Sequence, residues 1–210
     1  MGKWQIGAAA AVALLVGAGA ARACEGSTVL FEDSFTELQS TWDGSPDEVK
    51  VEDGKLHLTT KPDWTVWVPN TAGFYDDIDM CVDVTTVEAA DPKTNFAGLV
   101  FWYSDDKNFY SFEFDASGNA SVWRMQRGKW LKQVSWNEVP ALKKGNGETN
   151  QMRVVTVGNQ ATFYLNGTKF ASLKGAPPDG GQEVGVIGYS PKAGSADYAF
   201  ANFKITEPSK

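Results

Sequence analysis

The sequence predicts a protein built almost entirely from antiparallel β-strands, stacked as a sandwich or closed as a barrel. Short segments in which apolar and polar residues alternate, rich in β-branched and aromatic side chains, recur along the chain. Turn-forming residues separate these segments, and no ten-residue stretch after residue 23 shows a helical period. A sheet covered by helices is therefore excluded, because its connections would need such stretches.

The alternation and the turn residues place the strands in order along one domain. The predicted strands are residues 28–31, 55–60, 64–68, 78–87, 96–103, 109–114, 121–126, 152–157, 162–165, 169–173, 184–189 and 198–205. Turn residues lie between them at 52–54, 115–119, 127–128, 158–159 and 166–167. The sharpest turn is Asn166-Gly167, which favours a type I′ hairpin because both residues tolerate a positive φ.

The first 23 residues have the features of an export signal. Lys3 gives a positive start, residues 6–20 are apolar or small, and Ala21-Arg22-Ala23 fits a small-x-small cleavage site. We therefore expect a periplasmic or secreted protein whose single domain is residues 24–210, with no membrane span in that mature chain. Loss of Lys3 and Arg22 changes the formal net charge from −7 to −9, which argues against nucleic acid as a partner.

The chain has two cysteines, Cys24 and Cys81. An even number in an exported protein favours a disulfide, which here would tie the mature N-terminus to an interior strand. Lipidation of Cys24 is the alternative. It is disfavoured because Ala21 and Arg22 stand where a lipidated cysteine is usually preceded by Leu and a small uncharged residue.

The sequence lacks the residues that most kinds of catalytic site require. The only histidine, His57, lies between Leu56 and Leu58 on a predicted strand and should face solvent, so zinc sites and Ser-His-Asp triads are not expected. Glu113 and Asp115 share one side of a strand, about 6.6 Å apart at roughly 3.3 Å per residue, within the range of glycosidase carboxylates. Because Asp115 also opens a turn that it can cap, a structural role is favoured, and Glu113 is the one catalytic candidate.

Asp77, Asp79 and Asp83 lie on one face of a predicted strand. Calcium takes about 6–8 oxygen ligands, and no Asp-x-Asp-x-Asp-Gly loop is present. We interpret these residues as a solvated polar face and expect no metal or other cofactor. A calcium site assembled from separate loops is the alternative.

The abundance of tryptophan is the main indication of a binding site. Seven of the eight tryptophans follow residue 23, and indole rings can stack on the apolar faces of sugars. Each single tryptophan is nevertheless better explained by core packing, because aromatic residues fill the interior of most β-sandwiches. Adjacent strand residues face opposite ways, so the pairs Trp102–Tyr103 and Trp123–Arg124 should each divide between the two faces.

Several segments resemble the concanavalin A-like and laminin-G-like sandwich superfamily. They are residues 97–115, 118–130 and 152–168, with 31–35, Trp42, 53–56 and 200–205. Within it the chain is most similar to the bacterial 3-keto-disaccharide hydrolase domain, also called the family 16 glycoside hydrolase-like domain. The resemblance implies a jelly-roll sandwich of two antiparallel sheets, in a superfamily whose members bind or cleave glycans, some with calcium.

The motif of true family 16 hydrolases is incomplete. Those enzymes carry Glu-x-Asp-x-x-Glu or Glu-x-Asp-x-Glu, and Glu113-x-Asp115 begins the pattern, but Ser117 and Gly118 stand at the positions of the final Glu. We therefore favour a carbohydrate-binding module over an enzyme. The alternatives are a glycosidase-type hydrolase of modified disaccharides, with Glu113 as acid or base, and an envelope protein that binds another protein through an aromatic patch.

The predicted saccharide contacts lie on successive predicted strands or in the loop after them. They are Trp102, Tyr103, Glu113, Trp123, Arg124 and Trp130. In this hypothesis the rings stack on sugar faces, and Glu113 and Arg124 form hydrogen bonds with hydroxyl groups or a carboxylate.

Overall fold

A computed structural model describes residues 24–209, which form fourteen β-strands. The predicted export signal, residues 1–23, lies outside the described residues. The strands are β1 (Val29–Asp33), β2 (Val49–Glu52), β3 (Lys55–Thr60), β4 (Trp64–Tyr75), β5 (Ile78–Ala89), β6 (Phe96–Asp105), β7 (Asn108–Asp115), β8 (Asn119–Gln126), β9 (Lys129–Glu138), β10 (Thr149–Val157), β11 (Gln160–Leu165), β12 (Thr168–Lys174), β13 (Gln182–Ser190) and β14 (Ala196–Thr206). Across residues 24–209 there is no helix, and so none that could cross a membrane.

The strands form two antiparallel sheets. The larger has eight strands in the order β12-β11-β10-β5-β14-β3-β2, with β1 also paired to β14. The smaller has six strands in the order β4-β13-β6-β7-β8-β9. The all-β jelly-roll sandwich predicted from the sequence is therefore confirmed.

The main core lies between the two sheets and follows the two-residue period of the strands. On β3, Leu56 and Leu58 are fully buried in this core, and His57 points to the other face, as predicted. It is not the solvated residue expected, because its side chain is only 14% exposed and its Nδ1 lies 3.1 Å from a carboxylate oxygen of Asp197. On β7, Phe112 enters the same core and Glu113 points away from it. Burying each such large apolar side chain contributes roughly 1.5–3 kcal/mol, so the alternation fixes which side chains of the smaller sheet face outward.

The sequence does not predict β2 or β9. β2 has only four residues, too few to show a period. β9 is an edge strand that pairs only with β8, and eight of its ten residues are exposed. An edge strand with so little buried surface lacks the apolar alternation by which strands are recognised.

The hairpin turn between β11 and β12 has the predicted form. Asn166 and Gly167 adopt φ angles of 48° and 76°, and Leu165 pairs with Thr168 directly across them. These positive angles are those of a type I′ turn, so the prediction is confirmed.

The first described residues, Cys24 and Glu25, are linked to β5. Cys24 and Cys81 form the predicted disulfide, with Cα atoms 5.5 Å apart. Beside it, Asp79 is fully buried: Arg153 donates from Nε to Oδ1 at 2.7 Å, and the backbone N–H of Glu25 donates to Oδ2 at 2.8 Å. The interpretation of Asp79 as part of a solvated face is therefore wrong, because the N-terminal segment and Arg153 cover this part of the strand.

Candidate functional site

The outer face of the six-stranded sheet, meaning the side turned away from the eight-stranded sheet, carries a second group of packed apolar residues. Val100, Tyr103, Phe109, Met125 and Ile187 are buried there. They come from β6, β7, β8 and β13, so the buried strip crosses four strands. A strip of this face is thus shielded from water although the other sheet lies on the opposite side.

An open pocket of about 280 Å³ lies on the same face. Its lining is dominated by aromatic rings and is formed by Thr65, Phe96, Glu113, Trp123, Trp130, Trp136 and Tyr189. We call this the aromatic pocket. Its volume is near the lower end of small-molecule sites, which range over roughly 300–1,000 Å³.

All six strands of the smaller sheet contribute to the aromatic pocket, and the edge strand β9 contributes two rings. The pairing of β8 with β9 shifts register twice, on either side of Val122. As a result Val134 packs against the main core, whereas Trp130 and Trp136 line the aromatic pocket. Such irregularities redirect side chains at sheet edges.

The rings hold one another in place. Phe96 stacks on Tyr189 with ring centroids 5.0 Å apart and planes at 24°, and its centroid lies 5.9 Å from that of Trp136. Trp130 meets Phe109 edge-on at 5.5 Å and is 37% exposed. Aromatic pairs contribute about 0.5–1.5 kcal/mol beyond their buried area, so the ring faces are positioned before any ligand arrives.

Glu113 is the only carboxyl group among the lining residues, and only 1% of it is exposed. The hydroxyl of Ser111 donates a hydrogen bond to Oε1 at 2.6 Å. Burial raises the pKa of Glu113 to about 8, and the hydrogen bond from Ser111 acts in the opposite direction. At neutral pH the carboxyl is therefore mostly protonated, a form that can both donate and accept hydrogen bonds.

The strands on either side of Glu113 fix its surroundings. On one side, Ser121 pairs with Glu113 in register and accepts a hydrogen bond at 2.9 Å from Nε1 of Trp123, which orients that indole. On the other side Gly98 pairs with Glu113, and a Cβ at Gly98 would lie 2.0 Å from the carbonyl oxygen of Phe112. The close approach of β6 to β7 beneath Glu113 therefore requires a glycine.

Asp115 caps its own turn, as predicted. Its Oδ1 accepts hydrogen bonds from the backbone N–H groups of Ser117 at 2.9 Å and Asn119 at 3.0 Å. Asp115 does not line the aromatic pocket, so the pocket lacks the second carboxylate that a two-carboxylate glycosidase places across the scissile bond. Over residues 24–209, His, Cys, Asp and Glu side chains form no group of three or more that could hold a metal ion.

The structure divides the six predicted contacts. The aromatic pocket brings Glu113, Trp123 and Trp130 together. Trp102 and Arg124 line a separate cleft of about 270 Å³ beside the loop that precedes β13. Arg124 thus lies on the side of β8 opposite Trp123, as the adjacency of the two residues predicted.

Trp102 and Tyr103 also lie in different layers. Trp102 is buried in the main core, and Tyr103 belongs to the buried strip of the outer face, where its hydroxyl donates to Asp106 at 2.8 Å. The pairing of β6 with β7 is irregular between Phe101 and Asp105, and Trp102 has a φ of 48°. Neither ring lines the aromatic pocket.

Sequence reasoning missed Phe96, Trp136 and Tyr189. Phe96 and Tyr189 are direct cross-strand partners, but their strands are far apart in the sequence. Alternation alone could have placed Phe96 on the outer face, since the core residues of β6 begin with Ala97. Trp136 was hidden because β9 was not recognised as a strand.

The fold is shared with solved structures at low sequence identity. The carbohydrate-binding module CBM66 from Bacillus subtilis has a TM-score of 0.59 and 13% identity, with 84% of this chain and 97% of that one covered. A protein of unknown function with a galectin-like fold from Bacillus subtilis has a TM-score of 0.63 and 12% identity, with 88% of this chain and 98% of that one covered. The Emp47p carbohydrate recognition domain has a TM-score of 0.64 and 12% identity, with 84% of this chain and 94% of that one covered. Likeness at these identities establishes the sandwich fold alone.

The family assignment comes from the sequence itself. No curated protein shows a significant match to it. Residues 26–206 match the family described as the 3-keto-alpha-glucoside-1,2-lyase-like domain, a span that includes both sheets and every residue of the aromatic pocket. This agrees with the resemblance found in the strand and turn motifs. The chain therefore belongs to the 3-keto-alpha-glucoside-1,2-lyase-like domain family.

Proposed function

We propose that this protein is an exported β-sandwich that binds a saccharide in the aromatic pocket. The observation that carries the proposal is the combination of five aromatic rings with one buried carboxyl group on the same sheet face. Ring faces pack against the apolar faces of sugars, and a few polar groups inside a mainly apolar pocket give a small ligand its orientation.

The polar group that would orient the sugar is Glu113. In its protonated form it can donate one hydrogen bond to a sugar oxygen and accept another from a sugar hydroxyl. The indole N–H of Trp123 is already bonded to Ser121, so Trp123 would contribute its ring rather than a hydrogen bond. Trp130, at 37% exposure, offers the most accessible ring and would stack on the bound sugar.

Two further observations support the proposal. Solved structures with this fold include a carbohydrate-binding module and a carbohydrate recognition domain. The Cys24–Cys81 disulfide fits an oxidising compartment, which supports export.

Calorimetric titration against a panel of oligosaccharides tests the proposal, with two tryptophan variants as a matched pair. Trp130→Ala should weaken binding by up to roughly tenfold, since loss of one stacking ring costs about 0.5–1.5 kcal/mol and 1.4 kcal/mol is tenfold in affinity. Trp64→Ala should not change binding, because Trp64 is 55% exposed and does not line the aromatic pocket. Absence of heat with every sugar, or equal losses in the two variants, would refute saccharide binding at this site.

A second candidate function is an acid or base reaction on a modified glycoside, with Glu113 as the reacting group. The burial of Glu113 in the aromatic pocket favours it, because burial raises the pKa of Glu113 to about 8 and a catalytic acid needs a pKa close to the operating pH. Membership of a lyase-like family also supports it. Glu113→Gln should then abolish turnover of a 3-keto-glucoside while the substrate still binds, and full turnover by this variant would exclude Glu113 as the catalytic group.

A further inference from the structure

The aromatic pocket has an unbalanced charge composition. Its lining contains one carboxyl group and no Lys, Arg or His. None of the salt bridges in residues 24–209 includes Glu113. Lys132 pairs with Trp123 across β8 and β9, but it is exposed and not part of the lining. The carboxyl group of Glu113 therefore faces aromatic rings without a positive partner.

Aromatic faces and a carboxyl group share one electrostatic preference. The faces of Trp, Tyr and Phe carry negative potential and attract cations, with Trp the strongest, and the attraction grows when the cation is removed from water. Three of the five rings of the pocket are tryptophans, and Phe96 and Tyr189 complete the set. The rings would gain from a positive charge placed among them, and so would Glu113 in its ionised form. A neutral sugar would use the apolar ring faces and the hydrogen bonds of Glu113 but not this electrostatic preference.

We infer that the aromatic pocket selects saccharides that carry a positively charged nitrogen, such as an amino sugar with a free ammonium group, held between the ring faces and Glu113. This inference rests on the proposed function and adds the chemical class of the ligand. The negative net charge of the chain, −7 over its full length, also favours the approach of such a ligand.

The protonation of Glu113 is consistent with this inference. Without a ligand, burial favours the neutral form. A cation bound within about 4–6 Å favours the charged form, so the ammonium group would displace the proton and form an ion pair with Glu113. The buried carboxyl group then has a role that a purely apolar sugar platform would not require.

The test uses three tetrasaccharides with the same β-1,4-linked backbone, which are the tetramers of glucosamine, of N-acetylglucosamine and of glucose. Their affinities should be measured by calorimetry at mildly acidic pH, so that the amino groups of the glucosamine tetramer are charged. The glucosamine tetramer should bind at least tenfold more tightly than the other two. Equal affinities for all three would overturn the inference and leave the proposed function standing, whereas no binding of any saccharide would refute the proposed function.

Two variants assign the preference to the pocket. Glu113→Gln keeps the size and hydrogen bonding of the side chain but cannot become negative, so the affinity ratio of the glucosamine to the glucose tetramer should fall toward one. Trp130→Leu keeps an apolar side chain but removes a π-face, so the ratio should fall in this variant too. A ratio unchanged in both variants would overturn the inference.

Choline provides the last arm, because it carries a quaternary ammonium group without a sugar ring. The glucosamine tetramer should bind more tightly than choline, since its rings add stacking contacts. If choline bound as tightly, the saccharide assignment would be overturned.

Discussion

The hydroxyl of Ser111 lies 2.6 Å from Oε1 of Glu113, on the outer face of the six-stranded sheet. Both residues are on β7, two positions apart, so the pleat of one strand is enough to bring them together. This contact favours the charged form of Glu113, but burial outweighs it and raises the pKa of Glu113 to about 8. The strand thus presents a buried carboxyl group that is mostly neutral at pH 7, beneath a set of aromatic rings.

The first prediction concerns the pH dependence of stability. The pKa of Glu113 is 4.5 in the reference state and about 8 in the folded protein. Between these values the folded protein holds a proton that the unfolded chain has lost, so the free energy of unfolding should fall as pH rises, by up to about 1.4 kcal/mol per pH unit. The fall should end above about pH 8, where both states are ionised.

Urea unfolding of the wild type and Glu113→Gln at pH 5 to 9 measures this effect. Subtracting the two curves removes the contribution of every other titrating group. The free energy of unfolding of the wild type minus that of Glu113→Gln should fall between about pH 5 and pH 8 and then become constant. A difference that is flat throughout would show that Glu113 titrates normally in the folded protein.

The second prediction concerns Gly98. A methyl group at this position would lie 2.0 Å from the carbonyl oxygen of Phe112, and backbone atoms cannot move aside as a flexible side chain can. Gly98→Ala should therefore lower the free energy of unfolding by about 1–3 kcal/mol, as overpacking does. Denaturant unfolding measures the loss.

Gly73→Ala is the matched control, also on a strand of the smaller sheet. Its nearest neighbour would be a ring atom of Tyr75 at 3.4 Å, an ordinary contact, so stability should be unchanged or slightly higher. Similar stability of the two alanine variants would contradict the close approach of β6 and β7.

The third prediction concerns the buried pair of Asp79 and Arg153. Arg153→Met removes both hydrogen bonds to the carboxylate, at 2.7 and 2.9 Å, and leaves Asp79 buried without its cation. We expect a loss of about 3–5 kcal/mol in the free energy of unfolding, measured by urea denaturation.

Lys50→Met is the control for this prediction, because it breaks the exposed Lys50–Glu52 pair. Exposed pairs contribute little, so no measurable change is expected. The Asp79 assignment would be contradicted if the two methionine variants were equally stable.

The fourth prediction concerns the disulfide. Its cysteines are 57 positions apart, and closing a loop of this length stabilises the folded state by about 4 kcal/mol in the chain-entropy description. A reducing agent should therefore lower the urea midpoint of the wild type substantially. The Cys24→Ala/Cys81→Ala double variant should start near that lower midpoint and show no response to the reductant. If the reducing agent cleaved the disulfide of the wild type without lowering its urea midpoint, the stabilising role would be contradicted.

Local rules accounted for a large part of the architecture. The alternation of Leu56, His57 and Leu58, the turn at Asn166-Gly167 and the capping of the turn by Asp115 each depend on residues within a few positions of one another. The cysteine count and the expected export were enough to favour the Cys24–Cys81 pairing. These features could be predicted because their causes lie within a short stretch of chain or in the residue count.

The candidate site was only partly predictable. Glu113, Trp123 and Trp130 were grouped because they lie on successive predicted strands or in the loop after them, and in a meander such sequence neighbours are also spatial neighbours. Trp102 and Arg124 were grouped with them although they line another cleft, because alternation gives the two faces of a strand but not which layer each face meets.

The sequence by itself determined the faces of the regular strands, the tight turns and the family, and it favoured the disulfide, because each depends on local patterns or on composition. Only the tertiary structure decided that Tyr189 stacks on Phe96, that Trp136 joins them from an edge strand, and that Asp79 is sealed beneath the N-terminal segment. The physical reason is that long-range pairing and register set which outward faces meet. A two-residue period within one strand carries no information about either.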